Sequence, residues 1–212
     1  MRILCLLVCL SWLPVSAMAA DDAGDIIKRV QKAYKQAKDF TIDFSHETKW
    51  PLTGMTDKSD GTMQIRGDQY RFQSGEATTI TDGKTIWFYS TITRQLLIDY
   101  YDPESDEFLP REMMFKFPKN YHTRLLSPEV YEGRTCDVIQ MTPKKDDTLV
   151  QNLKVWVDRE EWTMRRFEFV NIDENREIYQ LHTIQRNTGL SGDLFQINDP
   201  PDGAEVQDLR EP

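Results

Sequence analysis

From Asp25 to Phe40 the apolar residues Ile26, Ile27, Val30, Ala33, Tyr34 and Ala37 recur in steps of three and four, the stripe of an amphipathic helix. Asp21, Asp22 and Asp25 stand near its start, where carboxylates oppose the positive helix end. At Phe40 the period drops to two. Phe40, Ile42 and Phe44 alternate with Thr41, Asp43 and Ser45, which predicts a strand with one buried face. Met63 and Ile65 repeat the pattern, and Gly67-Asp68 turns the chain into Tyr70 and Phe72. Thr78 to Thr81 and Lys84 to Ser90 flank Asp82-Gly83, a two-residue hairpin signature, and a further strand follows at 94–100.

Residues 102–120 break this rhythm. Pro103 and Pro110 punctuate the segment, and Met113, Met114, Phe115 and Phe117 predict a short helix or two crossing the sheet. Strand patterns return at 121–131, 136–142, 152–158, 164–171 and 177–186. About ten or eleven consecutive antiparallel strands result. Strand twist makes so long a sheet curl, so the expected fold is mainly β (α+β), an incomplete antiparallel barrel with helices on its concave side. A barrel of that size encloses more volume than its own strands fill. Helices or a ligand must take the rest.

The start of the chain reads differently. Met1-Arg2 precedes an apolar run from Ile3 to Val15, and Ala17-Met18-Ala19 offers the small residues that a signal peptidase reads. We expect residues 1–19 to be a cleaved secretory signal and 20–212 to form one domain. Residues 1–20 hold one basic and no acidic residue, so the remainder carries 25 basic against 35 acidic side chains, a net −10. No basic surplus exists to neutralise phosphates, which excludes nucleic acid as a natural partner. Cys5 and Cys9 leave with the signal, and Cys136, left alone, reads as a small buried apolar side chain.

Catalytic and metal chemistry find little support. His46, His122 and His182 fall on separate predicted strands, and no cysteine pair offers a thiolate clip, so no metal site is expected. Neither a glycine-rich phosphate loop nor a Gly-x-Ser-x-Gly elbow occurs. The acidic runs at 102–106 and 173–174 lie in predicted loops without calcium-loop spacing. What stands out is apolar: Tyr70, Phe72, Ile86, Phe88, Met113, Met114, Phe115, Phe117, Phe167 and Phe169 all fall on patterned segments around the proposed curl. Plain core packing explains them, and so does an apolar ligand site to which methionine can adapt.

The stretch Asp82-Gly83-Lys84-Thr85-Ile86-Trp87-Phe88-Tyr89 resembles the central hairpin of the LolA family, periplasmic carriers of outer-membrane lipoproteins. Val138 to Lys144, ending Thr142-Pro143-Lys144, is similar to that family as well. So is the ending Phe195-Gln196-Ile197 with Pro200-Pro201-Asp202-Gly203-Ala204-Glu205-Val206. The resemblance implies a half-barrel wrapped on a helical lid, a periplasmic location, a monomer, no cofactor and no enzymatic activity. It implies as partners acylated outer-membrane lipoproteins, an inner-membrane ABC transporter of the LolCDE type and a LolB-like outer-membrane receptor. By position, Tyr70 and Phe72 match the lid-facing aromatics, while Met114 and Phe167 match the lid-helix residue and its facing phenylalanine. Ile86, Phe88, Met113, Phe117 and Phe169 complete the expected cavity and lid. The family's Lys-Arg-Pro turn is replaced by Ile65-Arg66-Gly67-Asp68, which leaves Arg66 as the candidate gating residue, with a solvated surface arginine as the alternative. Three rival readings stand beside the carrier. One is a lipid sensor similar to RseB, whose relatives carry a second domain. Another is a small-molecule enzyme on the same scaffold, similar to VioE, which calls for a polar cluster near His46 or His182. The last is a tightly packed protein with no ligand.

Overall fold

The computed structural model describes residues 22–102, 117–145 and 150–210. Helix α1 spans Ala23–Gln36. Asp22 caps it, its carboxylate accepting from the Asp25 N–H at 2.8 Å, and Lys35 sits in the last turn against the negative helix end. The predicted stripe is the face it buries: Ala23, Ile26, Ile27, Val30 and Tyr34.

The first half of the sheet comprises β1 (Phe40–Lys49), β2 (Thr56–Arg66), β3 (Gln69–Ser74), β4 (Ala77–Thr81), β5 (Thr85–Ser90) and β6 (Gln95–Tyr100). A short helix, α2 (Phe117–Asn120), leads into β7 (Tyr121–Leu125), β8 (Glu129–Tyr131), β9 (Arg134–Pro143), β10 (Val150–Asp158), β11 (Met164–Asn171) and β12 (Arg176–Arg186). A 3₁₀ turn at Gly192–Phe195 and β13 (Glu205–Asp208) end the described chain. All thirteen strands join one sheet, in the order β13-β6-β5-β4-β3-β2-β1-β12-β11-β10-β9-β7, with β8 also on β9. Among the described residues the chain is mostly β with one long helix on an open, curled sheet, as the patterns indicate.

Thirteen strands exceed the expected ten or eleven for two reasons. The stretch 121–131 is two strands, because Ser127-Pro128 interrupts it where proline has no N–H for a ladder. β13 pairs in parallel with β6, Val206 against Leu96, and its residues show no alternation that would betray it. The expected crossing helix around Met113 and Met114 lies outside the described residues.

Period-two alternation divides the sheet's faces. Phe40, Ile42 and Phe44 of β1 point with α1 into the main core, beside Met63, Ile65, Tyr70, Ile86, Val155, Phe167 and Leu181. On the opposite face, Ile80, Trp87 and Leu96 form a second core, roofed by Ile197 and Ala204 of the C-terminal segment. Cys136 packs with Val138 and Trp156 in a third, and burial pushes its thiol up to about 11.

Gly61 is where the concave face needs glycine. A Cβ there would strike the Gln73 carbonyl and the Phe44 ring, which lies across the gap. Gly61→Ala is expected to destabilise by about 1–3 kcal/mol. At roughly 2–4 °C per kcal/mol for a chain of this size, a thermal melt reads the loss. Gly24→Ala, which meets only the Asp22 carboxylate, is expected to leave the melting point almost unchanged. Equal melting points for Gly61→Ala and wild type would mean that Phe44 is not held in place.

Candidate functional site

β1 places Phe40, Ile42, Phe44, His46 and Thr48 on its inner side by simple alternation. Phe72 of β3 stacks on Phe44, with centroids 5.1 Å apart and planes 10° off parallel. Phe44 in turn meets Tyr179 of β12 at 5.8 Å, and Phe167 of β11 stacks on Tyr179 at 4.6 Å. Phe169 lies 6.4 Å from Tyr179 with its plane 9° away. A continuous aromatic row therefore crosses β3, β1, β12 and β11 under the sheet's concave surface. Burial raises the Tyr179 phenol above its usual value.

A bulge sets this row. Asp43 pairs with Thr183 but Phe44 pairs with Leu181, so His182 is the extra residue on β12. His182 is thereby left on the outside, bonded to Ser45 Oγ at 3.0 Å, while Leu181 and Tyr179 turn inward.

One end of the row is polar. The His46 ring stacks on Tyr179 at 4.1 Å, and its Nε2 lies 2.7 Å from Glu177 Oε2. Thr48 Oγ1 donates to the same oxygen at 2.7 Å, and Asn171 Nδ2 donates to Glu177 Oε1 at 3.2 Å. Burial alone would raise the Glu177 carboxyl, but the hydrogen bonds from His46 and Thr48 outweigh it and hold the group below its ordinary value. An ionised carboxylate only accepts, so His46 Nε2 is the donor. The set is closed on itself, with both carboxylate oxygens engaged.

Near the start of the same face, α1 leaves an opening. A cavity of about 470 Å³ lies between its last turn and the β2–β3 turn, floored by Tyr34, Phe40 and Ile65 and rimmed by Lys35, Lys38 and Lys119. Tyr34 stacks on Phe40 at 4.6 Å, and burial pushes its phenol up to about 12. That volume lies within the roughly 300–1,000 Å³ of small-ligand pockets.

Of the residues singled out from sequence, Tyr70, Ile86, Phe167 and Phe169 are buried in the concave core, and Phe72 and Phe88 pack half-buried against it. Tyr70 also meets Tyr101 edge-on at 6.3 Å. Met113 and Met114 lie outside the described residues, and Phe117 opens α2 with its side chain likewise outside them. Arg66 projects from the opposite face of β2. It donates to Gln69 Oε1 at 2.9 and 2.7 Å and to the Leu190 carbonyl at 2.8 Å, and it covers the Phe195 ring at 5.1 Å. It holds the C-terminal segment to the β2–β3 turn. Sequence reasoning missed Phe44, Tyr179 and Tyr34 as lining residues. Phe44 and Tyr34 were visible in the periodicity, whereas the inward turn of Tyr179 depends on the β12 bulge.

Over residues 35–198 the sequence matches the family described as outer membrane lipoprotein carrier protein LolA. The outer-membrane lipoprotein carrier protein of Erwinia tasmaniensis is 26% identical over 200 residues, covering 91% of this chain and 90% of its own. That of Cronobacter sakazakii is 24% identical over 205 residues, covering 95% and 94%. An uncharacterized conserved protein from Thermus thermophilus superposes with a TM-score of 0.59 at 13% identity, covering 88% of this chain and 98% of its own, a likeness of fold alone.

Proposed function

Because the chain belongs to the LolA family of outer-membrane lipoprotein carriers, we propose that it holds the acyl chains of lipoproteins against the concave aromatic row and moves them from the inner to the outer membrane. The observation that supports this reading most is the meeting, on one face, of that row with a helix-covered apolar opening. Tyr70, Phe72, Ile86, Phe88, Phe167 and Phe169 are its lining, together with Phe44 and Tyr179.

Burying one CH₂ is worth roughly 0.8 kcal/mol, so three acyl chains represent on the order of 30 kcal/mol in water. A carrier cannot leave them exposed. The 470 Å³ opening is too small for three chains, so α1 must yield part of its apolar seat to the cargo. The exchange replaces one apolar contact with another, and no on-board energy source is needed. The His46–Glu177 set closes one end of the lining as a polar stop, and its satisfied bonds favour that role over acid–base work.

The same reading makes residues 1–19 a secretory signal, 20–212 the carrier domain and the periplasm its compartment. It makes a LolCDE-type transporter the donor and a LolB-like protein the acceptor. Mass spectrometry of the protein purified from the periplasm tests it. Co-purifying lipoprotein or acyl lipid is the expected result. Protein that arrives clean and also fails to brighten an apolar fluorescent dye would overturn the reading.

A further inference from the structure

The β1–β2 hairpin ends in Trp50-Pro51-Leu52-Thr53-Gly54-Met55-Thr56, seven residues without a charge. Leu52 is 92% exposed, Met55 60% and Trp50 40%, the first of these among the most exposed apolar side chains described. The neighbouring β11–β12 turn adds Ile172, 60% exposed, and because Lys49 pairs with Arg176 both tips leave the sheet at the same end. β2 pairs with β3 as far as Gly61, and the last bonds to that side are Ser59 Oγ to Ser74 Oγ at 2.9 Å and the Gly75 N–H to the Asp60 carbonyl at 3.3 Å, so the tip lies beyond the end of β3.

The tip is built and not frayed. The Gly54 N–H donates to the Trp50 carbonyl at 2.8 Å, and the Trp50 N–H donates to the Met55 carbonyl at 3.0 Å. The Trp50 indole N–H is fixed on Asp57 at 2.9 Å. Behind the tip, Lys49 and Lys58 both pair with Glu47, at 3.1 and 3.2 Å. With Asp57 the hairpin's own collar holds two positive and two negative side chains and is neutral, and the β11–β12 turn, with Asp173, Glu174 and Arg176, adds no positive surplus.

We propose that this hairpin tip dips into the surface of a lipid bilayer. Its apolar side chains splay from a convex turn and do not line a groove, a shape that suits a soft apolar medium better than a rigid protein pocket. Tryptophan with its N–H tied back beside a charged collar is the arrangement of a residue at the membrane–water boundary. The neutral collar on a chain of net charge −9 gives no pull toward anionic headgroups. Apolar insertion, indifferent to lipid charge and salt, is what this chemistry supplies.

The test is flotation of the chain lacking residues 1–19 with vesicles of pure phosphatidylcholine, and with vesicles containing phosphatidylglycerol, at low and high salt. Wild type is expected to float with both, independently of salt. Leu52→Glu is expected to reduce the floated fraction at least tenfold, while Lys58→Gln leaves it unchanged. Protein that stays at the bottom with both vesicles, or a Leu52→Glu variant that floats like wild type, would refute the proposal. So would flotation confined to anionic vesicles and abolished by salt. Binding of an apolar dye to the concave site is expected to survive Leu52→Glu, which keeps this proposal separate from the carrier reading.

Discussion

Phe72→Glu is expected to strip the protein of acyl ligand while leaving it folded. Phe72 is half-buried and stacks on Phe44 at the β3 end of the aromatic row. A carboxylate there keeps some access to water in the empty protein, so the fold tolerates it. Once an acyl chain covers the row, that access is lost and the charge must be desolvated, a cost of about 2–4 kcal/mol that corresponds to roughly 30- to 1,000-fold weaker binding. Dye displacement by a long-chain acyl probe reads the affinity, and a thermal melt reads the fold. Phe72→Ala removes the ring without adding charge and should weaken binding far less. Tyr70→Glu is a different experiment. Tyr70 is 2% exposed, so a charge there is buried in every state and is expected to disrupt folding itself. Undiminished acyl binding by a folded Phe72→Glu would remove the aromatic row from the site.

The second large effect falls on Asp39. Its buried carboxylate accepts from the N–H of Thr188 at 2.6 Å, the hydroxyl of Thr188 at 2.9 Å, and the N–H groups of Gly189 and Leu190 at 3.0 and 3.3 Å. Asp39→Ala leaves these donors without a partner, and at about 1–3 kcal/mol for each group that stays dry, partly relieved by water, the net loss is about 3–5 kcal/mol. A fall in melting temperature of roughly 6–20 °C is expected at neutral pH. Burial would raise the Asp39 carboxyl, but the hydrogen bonds outweigh it and hold the group below its ordinary value. Its stabilisation is therefore complete above the unfolded value, about pH 4, and is lost as pH falls through the lower folded value. Melts of wild type and Asp39→Ala are thus expected to converge in acid. A gap that stays constant as the pH falls through and below both values would show that the charge is not what holds this junction.

Much of the fold was legible because one face of each strand is buried. Phe40-x-Ile42-x-Phe44 and the Asp82-Gly83 hairpin state their structure locally, and α1 follows from its stripe. The misread portions are those where tertiary context decides. β13 is polar and exposed, and only its register on β6 makes it a strand. The segment 121–131 looks continuous in hydropathy, yet Pro128 divides it. On the concave face the inward strand aromatics follow from alternation, but alternation counts residues and cannot see the bulge that drops His182 and carries Tyr179 inward. Arg66 shows the same limit. Its position suggested the lid, while the parity of β2 sends it to the outer face and the C-terminal segment.

The sheet's order places the first strand beside the last long one. β1 lies between β2 and β12, and among the described strands the meanders β1–β6 and β7–β12 are hydrogen-bonded to each other along that seam. Asp39, at its edge, waits for partners 149 to 151 residues away. A chain that emerges N-terminus first must therefore hold its opening strand without its β12 partner until almost everything else has been made. The joint is written into opposite ends of the polypeptide, and contacts so distant along the chain make for slow folding. Until they form, the greasy inner surfaces of both halves lie open, and a newly made molecule of this kind is at its most aggregation-prone just before completion.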